Sequence, residues 1–271
     1  QAVSDSAFIY YSKAEKMYGD DNYNLAKTRL NKALLQFNES DFSGSEIAVF
    51  SAMRAVKEEK ANDILYDSYN LLGIVYNERE EYDRALEFHN KALINIDETV
   101  MPSVFQSKAS SLNNIGFVYQ NMNKHKEAKV YFQQGLEQKN LINDKPFVYA
   151  MLLDNLAYSK FKLKETDNLP ELFYQSLKLR DSLQLTIGII TNKIHLSEYF
   201  AAKMDTVRAL KYSKEALATA QRSKNNRNVL APLKQLAVIE PRKAAVYNKQ
   251  YIHINDSLQK AERNMGKNLP E

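Results

Sequence analysis

The sequence predicts an all-α protein built from stacked helical pairs, and three observations predict it. First, a nine-residue phrase closing on Leu or Met recurs five times, opening on a small residue in four cases and on Leu169 in the fifth. Ser45 opens SEIAVFSAM, Ala85 ALEFHNKAL, Ala128 AKVYFQQGL, Leu169 LPELFYQSL and Ala209 ALKYSKEAL, at spacings of 40, 43, 41 and 40 residues. Second, another small residue stands twelve positions before four of these openers, at Gly73, Gly116, Ala157 and Ser197. Third, turn-formers are scarce, with 7 Gly and 6 Pro in 271 residues, so helices are joined by short loops. Self-similarity at this period indicates supersecondary units that stack, and such stacks build extended recognition surfaces.

The elements follow in order from the pattern. Residues 5–19 read as a capping helix, within an N-terminal segment 1–21. Leu30, Ala33-Leu34 and Phe37 form the first apolar helical set, paired with a second helix beginning near Ser45. Tyr69, Leu72, Gly73 and Tyr76 recur at helical spacing and mark the next first helix. The polar stretch 77–81 turns the chain, and the helix opened by Ala85 returns antiparallel to it. The same two-helix phrase repeats through NIGFVY, NLAYSK and HLSEYF with their partners. The repeats occupy 22–239 with a period of about 40. After Ala237 the rhythm breaks at Pro241, and a long helix fills 240–266, followed by a tail, 267–271. The small residues leave room for a neighbouring ring where helix axes approach, here Tyr76, Tyr82, Tyr119 or Phe132. Gly inside a helix costs about 1 kcal/mol relative to Ala, so Gly73 and Gly116 are expected to mark tight crossings.

These residues resemble the tetratricopeptide repeat. Tyr69, Leu72-Gly73, Tyr76, Tyr82, Ala85 and Ala92 fill every slot of that family's pattern. Leu112, Ile115-Gly116, Tyr119, Ala128, Phe132 and Gly135 nearly fill the next repeat. The resemblance implies a right-handed α-α superhelix of about 12–13 antiparallel helices, with the first helix of each pair lining the concave side.

Composition narrows the function classes. With 37 Lys and Arg against 33 Asp and Glu, the net charge is +4, too mild to argue for nucleic acid without a clustered basic face. The basic loop around Arg222, Lys224 and Arg227 reads as solvated charge. The absence of Cys removes disulfides, thiolate metal sites and cysteine nucleophiles. The longest apolar run, 147–153, is well short of the roughly 18 residues a membrane span needs. A start at Gln1, with no basic and apolar leader, points to removal of something upstream. No nucleotide-binding loop, nucleophile elbow or helical His pair is present. His89, His125, His195 and His253 lie far apart and read as structural, so no enzyme, cofactor or metal site is expected.

The concave positions carry the candidate site. With Gly73, Gly116 and Ala157 as the eighth repeat position, the inward side chains include Asn70, Asn77, Asn113, Gln120, Asp154 and Tyr158, with Asn114 and Asn155 beside them. A side-chain amide both donates and accepts, so it can pair with the backbone of an extended peptide. The same amides could instead solvate the surface or bridge neighbouring helices. Tyr158 is the tyrosine placed to face a ligand; most others fall on interface slots.

The C-terminal segment resembles the end of the sensor region in Bacteroidetes membrane signalling proteins. The matching residues are 233–236, Pro241, Ala244, Tyr247, Tyr251-Ile252, 255–258, Glu262-Arg263 and Lys267. In those proteins repeats precede one membrane helix and then a histidine kinase or helix-turn-helix output domain. The resemblance implies an extracytoplasmic, periplasmic sensor that binds a peptide or protein, with membrane anchoring through sequence beyond Glu271. The alternative is a soluble cytoplasmic adaptor or peptide receptor of the same fold.

Overall fold

The computed structural model describes residues 2–58, 61–96, 104–166, 168–223 and 225–265. Fourteen α-helices and no strand lie among the described residues, one more than the upper expectation because one of them is a single four-residue turn, Leu141–Asp144. The chain divides into two compact units, residues 1–124 and 125–271.

The first unit contains α1 (Ala2–Met17), α2 (Asn22–Asn38), α3 (Phe42–Ala55), α4 (Asn62–Glu78), α5 (Tyr82–Ile94) and α6 (Val104–Asn121). The pairs α2/α3 and α4/α5 are hairpins, and the first helices α2, α4 and α6 pack side by side. One apolar core joins Leu30, Ala33, Val49, Leu72, Tyr76, Ala85, Phe88 and Val118. Side-chain caps start two of the helices: Asp21 accepts from the Asn24 N–H at 3.1 Å and Asp41 from the Gly44 N–H at 2.9 Å. Each satisfies a donor that the helix itself leaves orphaned.

The second unit contains α7 (His125–Leu136), α8 (Leu141–Asp144), α9 (Pro146–Lys162), α10 (Leu169–Ser182), α11 (Thr186–Ala202), α12 (Thr206–Arg222), α13 (Arg227–Ile239), a 3₁₀ turn (Pro241–Lys243) and α14 (Ala244–Met265). Here α9/α10 and α11/α12 are the hairpins, and α9, α11 and α13 are neighbours. One core gathers Ala157, Leu169, Phe173, Leu196, Phe200 and Ala209. A second gathers Ile190, Ala216, Ala220, Val229 and Leu233, against which α14 lays Tyr247, Tyr251 and Ile254. The tail 267–271 lies outside the described residues.

The small residues behave as helix-crossing points. The small openers Ser45, Ala85, Ala128 and Ala209 have no exposed surface, nor does the larger Leu169. The twelve-residue pairing is a direct contact in the last hairpin, where the Ser197 hydroxyl donates to the Ala209 carbonyl at 2.8 Å. Gly73 is a tight crossing, but the ring over it is none of the expected ones. A Cβ there would sit 2.5 Å from Cε1 of His89. The twelve-residue spacing had pointed to tyrosines and phenylalanines, whereas the imidazole one turn beyond Ala85 reaches the gap.

The repeat also appears in the backbone. Ser40, Glu80, Asn123, Lys164 and Met204 all have φ near +60°, and their spacings are again 40, 43, 41 and 40. Each follows a first helix. The next residue's N–H closes the turn, as when Asp41 donates to the Gln36 carbonyl, Glu81 to Tyr76 and Asp205 to Phe200, at 2.8 to 2.9 Å. Bonds of this kind use carbonyls that a helix C-terminus leaves unpaired. Four of the five residues are neither Gly nor Asn, so composition hid these turns.

Candidate ligand-binding face

In the first unit the predicted amides lie on α4 and α6, with differing access. Asn70 and Asn114 are half-buried, whereas Asn77, Asn113 and Gln120 are buried. Asn77 bridges neighbouring first helices, its Oδ1 accepting from Nδ2 of Asn121 at 3.0 Å. Asn113 donates to Oδ1 of Asn114 at 3.4 Å, and Oδ1 of Asn70 lies 3.4 Å from Nδ1 of His89. Gln120 keeps a buried Oε1 without a hydrogen-bond partner. The amides thus divide into a buried set that ties helices together and a half-open set, Asn70 and Asn114, at the surface.

In the second unit Asp154 is fully buried. Its Oδ2 accepts from Nη1 of Arg180 on α10 at 2.9 Å, and its Oδ1 from Nδ2 of Asn192 on α11 at 2.8 Å. Nδ1 of His195 lies 3.1 Å from the same Oδ1, close enough for electrostatic pairing but not aligned as a hydrogen bond. Arg180 also donates to the Gly188 carbonyl at 2.5 Å and Asn192 to the Phe173 carbonyl at 3.2 Å. Asp154 therefore ties three helices together beneath the surface and does not itself face a ligand. Burial opposes its ionisation, but the neighbouring His195 and the charge and hydrogen bond of Arg180 prevail and hold its carboxyl below the usual range. Asn155 beside it is buried as well.

Tyr158 is the half-exposed member of this group. Its ring stacks on His195 at 4.1 Å between centroids and 25° between planes, and the edge of His125 stands 6.2 Å away. Its hydroxyl donates to Oε2 of Glu198 at 3.1 Å, to which Lys162 also donates at 2.9 Å. The Lys162 ammonium lies 4.7 Å from the ring centre, within cation–π range. Burial raises the Tyr158 pKa, so its hydroxyl is a proton donor at neutral pH. Arg180, Asn192 and His195 were not among the expected site residues. The repeat offset does not mark them: the position 40 residues after Asp154 is Ile194, whereas Asn192 and His195 stand 38 and 41 residues after it and Arg180 comes from the intervening helix.

What this face can do chemically is donate, accept and stack. Among the described residues no group of three His, Asp or Glu is placed to hold a metal ion. No helix among them is long and apolar enough to cross a membrane.

Residues 65–140 match the family model of the tetratricopeptide repeat. No curated protein sequence matches the chain significantly. Among solved structures, the quorum sensor NprR from B. thuringiensis in its apo form is similar with a TM-score of 0.72 at 18% identity, over 96% of this chain and 72% of that one. The Rap conjugation gene regulator of plasmid pLS20, in complex with the Phr* peptide, is similar with a TM-score of 0.70 at 13% identity, over 95% and 73%. BtubC from P. vanneervenii is similar with a TM-score of 0.62 at 19% identity, over 82% and 91%. At these identities the likeness establishes the fold. The chain has an all-α helical-repeat fold of the tetratricopeptide kind, and residues 65–140 carry the match to that family.

Proposed function

We propose that this chain is a non-catalytic domain that binds a peptide or protein on the open side of its first helices. The observation that carries the reading is that first helices in each unit present half-open polar or aromatic side chains held by neighbours: in the first unit Asn70 against the buried His89 and Asn114 against the buried Asn113, and in the second unit Tyr158 stacked on His195 and bonded to Glu198. Side chains held in this way are preorganised, so less ordering entropy opposes binding. The reading is supported by two fold neighbours, the quorum sensor NprR and the Rap regulator solved with its Phr* peptide. The test is binding of a random peptide library by wild-type protein and by the Asn114→Ala/Tyr158→Ala double variant. Capture by wild type and loss in the variant is expected; capture that is unchanged places the site elsewhere.

We further propose that the domain is the extracytoplasmic, periplasmic sensor of a membrane-anchored signalling or transcription-regulatory protein. The support is the C-terminal resemblance together with the docking of α14 on the last repeat through Tyr247, Tyr251 and Ile254. A ligand preferring one arrangement of the repeats would shift that population and carry α14 with it. The full reading frame tests this. An apolar span of about 20 residues within about fifty residues after Glu271 is expected, and an uninterrupted polar sequence there contradicts it.

A further inference from the structure

Three first helices of the N-terminal unit carry one short pattern on their open side. In α2, exposed Leu34 stands between Asn31 and Asn38. In α4, half-buried Ile74 stands between Asn70 and Asn77, and in α6, exposed Phe117 stands between Asn114 and Asn121. Each Asn is three or four residues from its apolar neighbour, one helical turn away on the same face. Leu34, Ile74 and Phe117 are 40 and 43 residues apart, the repeat spacing, and α4 packs against both α2 and α6. The result is a row of apolar side chains crossing three neighbouring helices, with surface amides beside it at Asn31, Asn38, Asn70, Asn114 and Asn121; Asn77 lies buried beneath it, and Glu78 takes on α4 the position that Asn38 and Asn121 take on their helices. Leu34 is 48% and Phe117 38% exposed, so the row is open to a ligand. The Asn121–Asn77 hydrogen bond ties one edge together between α4 and α6.

Charge enters only at the margins. Lys27 and Asp67 lie two turns before Leu34 and Ile74, with opposite signs, and Glu78 lies one turn after Ile74. The second unit differs, since its corresponding surface holds Lys162 and Glu198 beside Tyr158.

We infer that this track binds an extended, uncharged peptide segment in the polyproline-II conformation, with an apolar side chain at every third position. The inference rests on the reading of the chain as a peptide-binding domain and names the chemistry of the ligand. Packed helices stand about 8–10 Å apart. A polyproline-II chain has three residues per turn and rises about 3.1 Å per residue, so its equivalent side chains recur about every 9 Å on one side. A β-strand presents one side about every 6.5–7 Å and falls out of step by the third helix. The polyproline-II backbone makes no internal hydrogen bonds, so its free N–H and C=O groups suit amides, which both donate and accept. An acidic ligand side chain would lose hydration here and meet the like charges of Asp67 and Glu78 on α4.

The test is fluorescence anisotropy with labelled ten-residue peptides in an Ala/Pro background. One peptide has Leu at its second, fifth and eighth positions, one has Leu at its second, fourth and sixth, and a third repeats the first with two added Asp. The first is expected to bind at least about tenfold tighter than the others, the worth of roughly one well-buried apolar side chain. Leu34→Asp and Phe117→Asp should each weaken it by a similar factor with helical content retained; if either unfolds, Leu34→Asn and Phe117→Asn take its place. Equal affinities for all three peptides, or affinities indifferent to both substitutions, overturn the inference. If the spaced peptides fail while members of a random library bind, this inference falls and peptide binding stands. If no library member binds, both fall.

Discussion

Acid should destabilise this protein through His89 before the carboxylates are protonated. His89 on α5 is 1% exposed, packed over Gly73 where no Cβ would fit. Burial pushes its pKa down to about 4, whereas an unfolded His titrates near about 6.5. The folded state therefore binds fewer protons than the unfolded state between these values, and stability falls as pH falls. The contribution is fully present above about pH 6.5 and is lost progressively toward pH 4. Between pH 7.5 and 4.5 the unfolded chain gains roughly 2–3 kcal/mol from this group alone, at about 1.4 kcal/mol per pH unit. That amounts to a fall in melting temperature of roughly 5–15 °C for a unit of this size. His89→Gln removes the titration while keeping a polar group near Asn70. Denaturant unfolding of both proteins across this range gives the difference in acid slope, in which all shared carboxylates cancel. Parallel curves would refute the assignment of a buried neutral imidazole at this crossing.

Two further outcomes follow from the packing. Asp154→Ala should cost about 3–5 kcal/mol in chemical denaturation, because Arg180 is left buried without its counter-charge. Asp154→Leu with Arg180→Met should cost less than the sum of the single changes; a strictly additive result would show that the pair is not coupled. Met204→Gly should stabilise by about 0.5–1 kcal/mol in the same assay, since Met204 holds φ at +61° and is 89% exposed, so little packing is lost. A loss of stability there would mean that the side chain makes contacts the structure does not show.

The repeat was legible because helix crossings demand small residues, and five openers at 40 to 43 residues cannot arise from composition alone. The turns that follow the first helices share that rhythm, yet four use Ser, Glu, Lys and Met at positive φ, so local turn chemistry gave no sign of them. The candidate face was legible only to within one helix position. Successive residues on a helix point about 100° apart, so Asn113 is buried while Asn114 reaches the surface. Asp154 shows the same limit from the other side. It occupies a position expected to face a ligand, but Arg180 arrives from the next helix and Asn192 from the one after, closing over it. Arg180 reads in isolation as an ordinary cation near a helix end. Only the three-helix arrangement reveals it as a buried partner.

The central claim, that ligand binds the open side of the first helices, is tested most directly by photo-cross-linking. A library-selected peptide carrying a photoreactive residue is bound, irradiated and mapped by mass spectrometry. The account predicts attachment on α2, α4 and α6, or on α9 and α11, at or beside residues such as Phe117 and Tyr158. Attachment confined to the second helices α3, α5, α10 and α12 would contradict it.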